Sequence, residues 1–241
     1  MNYEQLKNSI LQEAIEGRLV PQDPNDEPAS VLLDRIRDEK AKLVKEKKIK
    51  KDKNESRIYR TEDGHWMERF TDKKRPDVCI DDEIPFDIPN NWEFCRLCYI
   101  LQLIDGEKKE GKNVVLDAKY LRGKGAANYL QKGKLVKQGD DIILVDGENS
   151  GEVFSVPIDG YMGSTFKQLW VTKIIDKNYA LYNLLVYKGF LRRNKKGAAI
   201  PHLNKEIFYN ILIGIPPLKE QHRIVEKLES ILPMLDTFKK R

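Results

Sequence analysis

Apolar and polar positions divide this chain into stretches of different period. Near the start, Leu6, Ile10 and Ala14 recur every four residues, which predicts one helical face, and Gly17 ends that helix. "VPQDPNDEP" follows as a rigid connector, and Pro28 suits the first turn of a second helix. From Ala29, "ASVLLDRIRDEKAKLVKEKKIKK" runs without Gly or Pro, with Leu32, Ile36, Leu43 and Ile49 along one stripe. The lysines of its last turns suit the negative end of the helix dipole, and they read equally as a solvated helix end or as phosphate contacts. Residues 51–82 are polar. Within them "SRIYRTEDGHWMERF" predicts a hairpin turning at Asp63-Gly64, expected as an excursion from the main body.

Residues 83–216 change to short β-prone runs. "KGKLVKQGDDIILVDGENSGEVFSVPIDG" predicts two strands around a turn-rich loop, and "KQLWVTKII" another strand. "NYALYNLLVYKGFLRR" predicts an amphipathic helix with Asn178 as N-cap. "LNKEIFYN" reads as a short helix and "ILIGIP" as a buried strand. A last helix begins at Pro217. Its Ile224, Leu228, Ile231, Leu235 and Phe238 are spaced 4, 3, 4 and 3, a heptad seam that needs another helix. The candidates are the N-terminal helices or their copies in a second chain. Pro233 is expected to kink or break the seam. The fold class is α+β: a β-rich domain with short helices, flanked by N-terminal helices and a C-terminal coiled-coil-type helix that pack together as a helical spacer.

Composition narrows the function by exclusion. The chain has 241 residues, and 43 Lys+Arg against 38 Asp+Glu give a net charge of +5, too small to decide anything alone. No apolar run reaches the roughly 18 residues of a membrane span. "MNYEQLKNSILQEAIEG" lacks a signal-peptide pattern, so a cytoplasmic protein is expected. Cys95 and Cys98 form a C-x-x-C, but with three histidines in the chain and no second ligand pair they read as reduced strand cysteines, not a zinc site. There is no G-x-x-x-x-G-K-[ST] phosphate loop, no G-x-S-x-G, no H-E-x-x-H and no Asn-Pro-Pro-aromatic tetrad of the adenine methyltransferases. Asp81, Asp82 and Glu83 read as solvated carboxylates, and His202 and His222 lack recognisable catalytic partners. No catalytic residue and no metal site are expected.

Charge placement is the positive signal. Residues 119–137 carry Lys119, Arg122, Lys124, Lys132, Lys134 and Lys137 without one acid. Residues 188–205 carry Lys188, Arg192, Arg193, Lys195, Lys196 and Lys205, again without one. Basic, glycine-containing loops on a β scaffold suit DNA, because lysine neutralises phosphate while Arg, Asn and Gln reach base edges.

Three segments then resemble the specificity subunits of type I restriction–modification systems. "LKNSILQEAIEGRLVPQDPNDEPASVLLDRIRDEKAKLVKEKKIKKDK" is similar to the conserved helical region of that family. "DDEIPFDIPNNWEFCRL" resembles the entry into its target recognition domain. "KGAAIPHLNKEIFYNILIGIPPLKEQHRIVEKLESIL" resembles the exit into the next conserved helix, with "PPLKEQHRIV" the most specific part. The resemblance covers roughly half the residues; in the interior, 100–185, "GDDIILVDGENSGEV" is the most typical stretch. It implies a non-catalytic subunit that reads one half of a split double-stranded DNA site and docks modification subunits, which methylate adenine with S-adenosylmethionine. Restriction subunits using ATP and magnesium join that assembly, and the subunit itself needs no cofactor. The implied segments are 1–50 (N-terminal conserved helices), 51–82 (linker with hairpin), 83–216 (target recognition) and 217–241 (C-terminal conserved helix).

The family's usual two recognition domains are here one, so the chain is either a half-size subunit that pairs with its own copy through the helices or a truncated form. The expected DNA contacts are Arg122, Lys124, Lys134, Lys137, Asn149, Ser150, Arg192, Arg193, Lys195, Lys196 and His202. Arg122 and Asn149 are the base readers, by bidentate pairing to guanine and adenine. Leu32, Ile36, Leu43, Ile224, Leu228, Ile231 and Leu235 are the expected helix-packing or partner interface. The competing reading is a protein-interaction module, or silent cassette, that no longer reads DNA.

Overall fold

The computed structural model describes residues 2–47, 49, 55–72, 74–197 and 201–239. It is a mixed α+β chain in two compact units. The first unit combines residues 1–100, 172–186 and 210–241; the second combines 101–171 and 187–209.

In the first unit, helix α1 spans Tyr3–Ile15 and begins with a capping box, in which Asn2 and Gln5 exchange backbone-to-side-chain bonds of 2.9 Å. Its buried residues are Leu11, Ala14 and Ile15, whereas Leu6 is exposed. The expected Leu6–Ile10–Ala14 face is thus rotated: the buried positions lie in the C-terminal half of α1, which packs against the C-terminal helix, α6 (Leu218–Lys239). Gly17 has φ 75°, and a Cβ there would lie 2.5 Å from Pro89 Cγ, so both backbone and space require glycine.

Helix α2 spans Ala29–Lys45, with Pro28 just before its first turn, at φ −55° and ψ 144°. Leu32 and Ile36 are buried as expected, and Leu43 is half-buried. The stripe continues through Lys40, which is buried with its ammonium 4.8 Å from the Tyr99 ring centre. The helix ends before Ile49, since a lysine-rich end with little apolar surface gains no packing to hold it. Lys48 and residues 50–54, which carry much of the lysine run, lie outside the described residues.

Strands β1 (Ser56–Arg60), β2 (Trp66–Phe70) and β3 (Val78–Cys79) form one antiparallel sheet in that order. Asp63-Gly64 sits in the connecting loop, which spans five residues because Arg60 faces Trp66. The hairpin is not an excursion. Ile58 joins a core with Ile80, Phe94 and Leu212, and Trp66 meets Phe94 edge-on at 5.1 Å. Buried Glu68 accepts from Arg96 at 2.6 and 3.1 Å and from Ser56 at 2.5 Å.

The centre of this unit is a two-stranded ladder. Strand β4 (Glu93–Arg96) pairs antiparallel with a strand near the C-terminus, β12 (Leu212–Ile215), from Leu212 opposite Arg96 to Ile215 opposite Glu93. Every residue of the latter strand is buried. Cys95 is buried on β4, and burial pushes its thiol up.

Helix α4 (Lys177–Arg193) belongs to this unit as far as Val186. Its first turn is capped by Asp176, whose carboxylate accepts from the Asn178 and Tyr179 amides at 2.8 and 3.2 Å. Asn178 was expected there; the carboxylate two residues earlier caps the turn instead, accepting from the amides of Asn178 itself and of Tyr179. In α6, Ile224 and Leu228 are buried, Ile231 and Leu235 half-buried, and helical structure continues through Pro233. Val225 and Leu232 widen the buried face; the Phe238 side chain lies outside the described residues.

The start of α6 is clasped. Glu220, fully buried, accepts from Gln22 Nε2 at 2.7 Å and Trp92 Nε1 at 3.0 Å. Arg223 donates to Asp26 at 2.7 Å, and Gln221 accepts from the Asp176 amide at 2.9 Å. The specific "PPLKEQHR" segment is therefore a hub that anchors the 20–28 connector.

In the second unit, β5 (Leu101–Ile104), β8 (Asp141–Leu144), β9 (Val153–Ser155) and β11 (Phe166–Val171) form a sheet ordered β5-β11-β8-β9. Strands β6 (Glu107–Leu116), β7 (Tyr129–Val136) and β10 (Gly160–Met162) close on one another. Helix α3 (Ala118–Leu121) follows β6, and helix α5 (Lys205–Asn210) leads out of the unit. The core holds Val114, Leu116, Val136, Ile142, Leu144, Val156, Met162 and Phe166.

Two stability predictions follow from the buried carboxylates. Burial raises the pKa of Glu68, but the hydrogen bonds from Arg96 and Ser56 outweigh it, and the net shift is down. Its contribution is present at neutral pH and is lost as pH falls through the folded-state value. Glu68→Ala leaves Arg96 partly unpaired and is expected to cost about 3 kcal/mol in urea unfolding at pH 7. Glu220 has the opposite sign: burial pushes its carboxyl up, against the hydrogen bonds from Gln22 and Trp92. Its favourable contribution is full below the unfolded pKa and lost as pH rises through the folded one. Glu220→Gln should therefore unfold at a higher urea midpoint than the parent at pH 7 and lose that advantage near pH 4.

Candidate nucleic-acid interface

Strand β8, buried at all four positions, delivers the chain into the loop 145–152. The loop closes on itself: the Gly151 amide donates to Leu144 O at 2.7 Å and the Leu144 amide to Glu152 O at 2.8 Å. Gly151 has φ 92°, a left-handed turn that a side chain would strain. The segment after α4 lies along this loop. The Gly147 amide donates to Pro201 O at 2.7 Å, the Leu203 amide to Val145 O at 2.8 Å, and Lys196 and His202 form a short antiparallel bridge.

That folding collects seven of the expected contact residues. Arg192 donates to Asn149 Oδ1 at 2.9 Å, Lys195 to Glu148 O at 3.0 Å, and His202 Nδ1 lies 2.7 Å from Asp146. Arg122, at the end of α3, pairs with Glu152 and lies over the Phe154 ring at 5.7 Å. Lys196 pairs with Glu206 at 3.2 Å. Ser150 completes the group but is fully buried, so the expected direct contact of its hydroxyl with DNA is not available on this surface. Its place is structural, inside the turn.

The remaining four stand apart from this cluster. Lys134 on β7 donates to Asp105 at 2.7 Å, and Lys137 to Asp159 at 2.7 Å. Lys124 and Arg193 are exposed. Asp105 also receives Lys167, and the hydrogen bonds from Lys134 and Lys167 hold its carboxyl down to about 2.

The two acid-free runs are thus not acid-free in space. Carboxylates from other strands and loops meet Arg122, Lys132, Lys134, Lys137 and Lys196. Most of these pairs are solvent-exposed, such as Lys196 with Glu206 at 61% and 74%. Exposed pairs are worth about 0–1 kcal/mol, so a phosphate displaces the carboxylate at little cost. Arg122 and Glu152, at 28% and 21%, are the more enclosed pair, and Lys188 reaches the same carboxylate at 4.0 Å.

Sequence reasoning missed Glu152, because it looked for cations and not for what holds them. It also missed the exposed ribbon of β6 and β7, where Lys112 lies over the Tyr129 ring at 5.3 Å and Tyr129 is 54% exposed. Lys108, Lys109 and Lys112 alternate with Glu107 and Glu110, which hid them from a search for acid-free runs. An exposed aromatic beside lysine was the available signal.

Residues 89–240 match the type I restriction modification DNA specificity domain. The chain is 34% identical to the MjaVIII specificity subunit of Methanocaldococcus jannaschii over 64% of this chain and 39% of that one. It is 30% identical to the EcoAI specificity subunit of Escherichia coli over 97% of this chain and 40% of that one. The chain thus spans about 40% of the length of these relatives. The HsdS subunit from Thermoanaerobacter tengcongensis superposes with a TM-score of 0.50 at 22% identity, over 65% of this chain and 41% of that one. A chain from a study of complex assembly and conformational transition of the type I R-M system gives 0.52 at 15% identity, over 98% of this chain and 52% of that one. These likenesses extend the shared fold to nearly the whole sequence, and the matched domain covers more than half of it: the chain belongs to the type I restriction–modification DNA specificity family.

Proposed function

We propose that this chain is a sequence-specific DNA-binding subunit that reads one half of a bipartite site. The observation that carries the reading is the surface built by loop 145–152 with residues 188–197 and 201–203, where Arg122, Asn149, Arg192, Lys195, Lys196 and His202 converge on a β scaffold. Arg122 and Asn149 supply base-edge readers, and the lysines supply phosphate contacts. Residues 83–216 serve as the target recognition part, 51–82 as the linker, and 1–50 with 217–241 as the conserved helices. The subunit has no catalysis and no cofactor of its own. It works in the cytoplasm with modification subunits that methylate adenine using S-adenosylmethionine, and restriction subunits using ATP and magnesium join the assembly.

The helices give the reading a length scale. α6 has 22 residues, about 33 Å at 1.5 Å per residue. One turn of DNA is about 34 Å. A strut of this length places two reading heads on one face of a duplex, about one turn apart, with the second head supplied by another copy of this chain or by a different recognition domain.

The test is to co-express the chain with the modification subunit encoded beside it and map methylated adenines genome-wide. A split motif is expected, symmetric when two copies act together. An assembled complex that adds no methylation would favour the interaction-module reading instead. A second test uses the enclosed carboxylate. Glu152→Gln releases Arg122 and Lys188, so duplex affinity should rise several-fold at about 0.1 M salt, and the slope of log K against log salt should steepen by about 1. An unchanged slope would remove Lys188 from the phosphate-contact set.

A further inference from the structure

In the first unit, three donor atoms of different chemistry meet at one corner of the β1-β2-β3 sheet. His65 is the last loop residue before β2, Cys79 ends β3, and Asp81 opens the 3-10 turn that follows. The imidazole, thiol and carboxylate donor atoms all lie within 4.8 Å of one another. The strand register brings them together: Met67 faces Cys79, and the Ile80 amide donates to Trp66 O at 2.9 Å. Asp81 is fixed at both oxygens, accepting from the Trp66 amide at 2.6 Å and lying 2.6 Å from His65 Nδ1. All three side chains are exposed, so an ion reaches them from solvent. The nearby guanidinium of Arg60 is turned away onto Gly64 O at 3.1 Å and the Trp66 ring.

We propose that His65, Cys79 and Asp81 bind a borderline-soft divalent cation of the zinc class, each with one ligand atom, with water completing a four-coordinate site. Thiolate sulfur, imidazole nitrogen and carboxylate oxygen are the three donors that zinc takes, at about 2.3, 2.0 and 2.1 Å. Magnesium and calcium select oxygen donors and are excluded by the sulfur and nitrogen. Binding releases the thiol proton, and the ion replaces the hydrogen bond between His65 and Asp81. The bound ion ties the end of β3 to the start of β2 and so staples the edge of this three-stranded sheet. The site shares no residue with the DNA-reading surface proposed above, and its test does not depend on that reading.

The full chain, reduced and stripped of metal, is titrated with Co²⁺ and followed by absorption. The expected result is a thiolate-to-cobalt charge-transfer band saturating at one equivalent and erased by Zn²⁺. Cys79→Ser should abolish the band, and Cys98→Ser should retain it. His65→Gln and Asp81→Asn should each weaken Co²⁺ binding by about tenfold or more, since even outer-shell partners of a metal cost about that much. Circular dichroism establishes that each variant is folded. The absence of a band in the parent, or its survival in Cys79→Ser, would overturn the site. Parent-like binding by His65→Gln and Asp81→Asn would reduce it to a lone thiol and overturn it equally.

Discussion

The ladder between β4 and β12 is the constraint on which the rest of the structure depends. It joins Glu93–Arg96 to Leu212–Ile215 across about half the chain. Closing so long a loop costs entropy, and what offsets it is visible on both strands. Phe94, Ile213 and Ile215 are wholly buried, Tyr179 donates to Gly214 O at 2.7 Å, and Arg96 binds Glu68, Glu83 and Asn210 O. The Leu97 amide extends the pairing to Ile211 O at 2.8 Å. The chain just before Leu101 and just after Tyr209 is therefore paired within the first unit.

The same ladder explains which features of the fold were legible in the sequence. The apolar run "ILIGIP" and the seam of Ile224 and Leu228 are strong local patterns, and both bury as their periods require. The face of α1 was not legible, because Leu11 and Ile15 are buried by tertiary packing that the strongest repeat does not follow. Docking of the hairpin was hidden for a different reason. Its anchor is a charged residue, Glu68, matched by an arginine 28 positions away, and polarity in sequence says nothing about such a partner. Lys40 continues a buried stripe that the sequence showed as interrupted.

The candidate site divides in the same way. Charge clustering named residues that the fold does bring together, since loop 145–152 bonds through its backbone to Pro201 and Leu203, and Lys196 to His202. It misjudged the electrostatics of that surface, because the carboxylates of Asp105, Glu110, Glu152, Asp159 and Glu206 arrive from elsewhere in the fold. Ser150 was misread because a tight turn hides a polar residue as readily as it displays one. The proposed DNA reading is thus an exchange: carboxylates hold the basic side chains in place, and phosphates take them over. The hubs around Glu220 and Glu68 lie outside this exchange and concern only the stability of the first unit.

Native-state hydrogen exchange followed residue by residue tests the central role of the ladder most directly. The amides of Glu93–Arg96 and Leu212–Ile215 are expected to be among the slowest, opening only with global unfolding. If they exchanged through a lower-energy opening while the Val114–Ile142–Phe166 core stayed protected, the rest of the structure would not depend on this pairing, and the account would be contradicted.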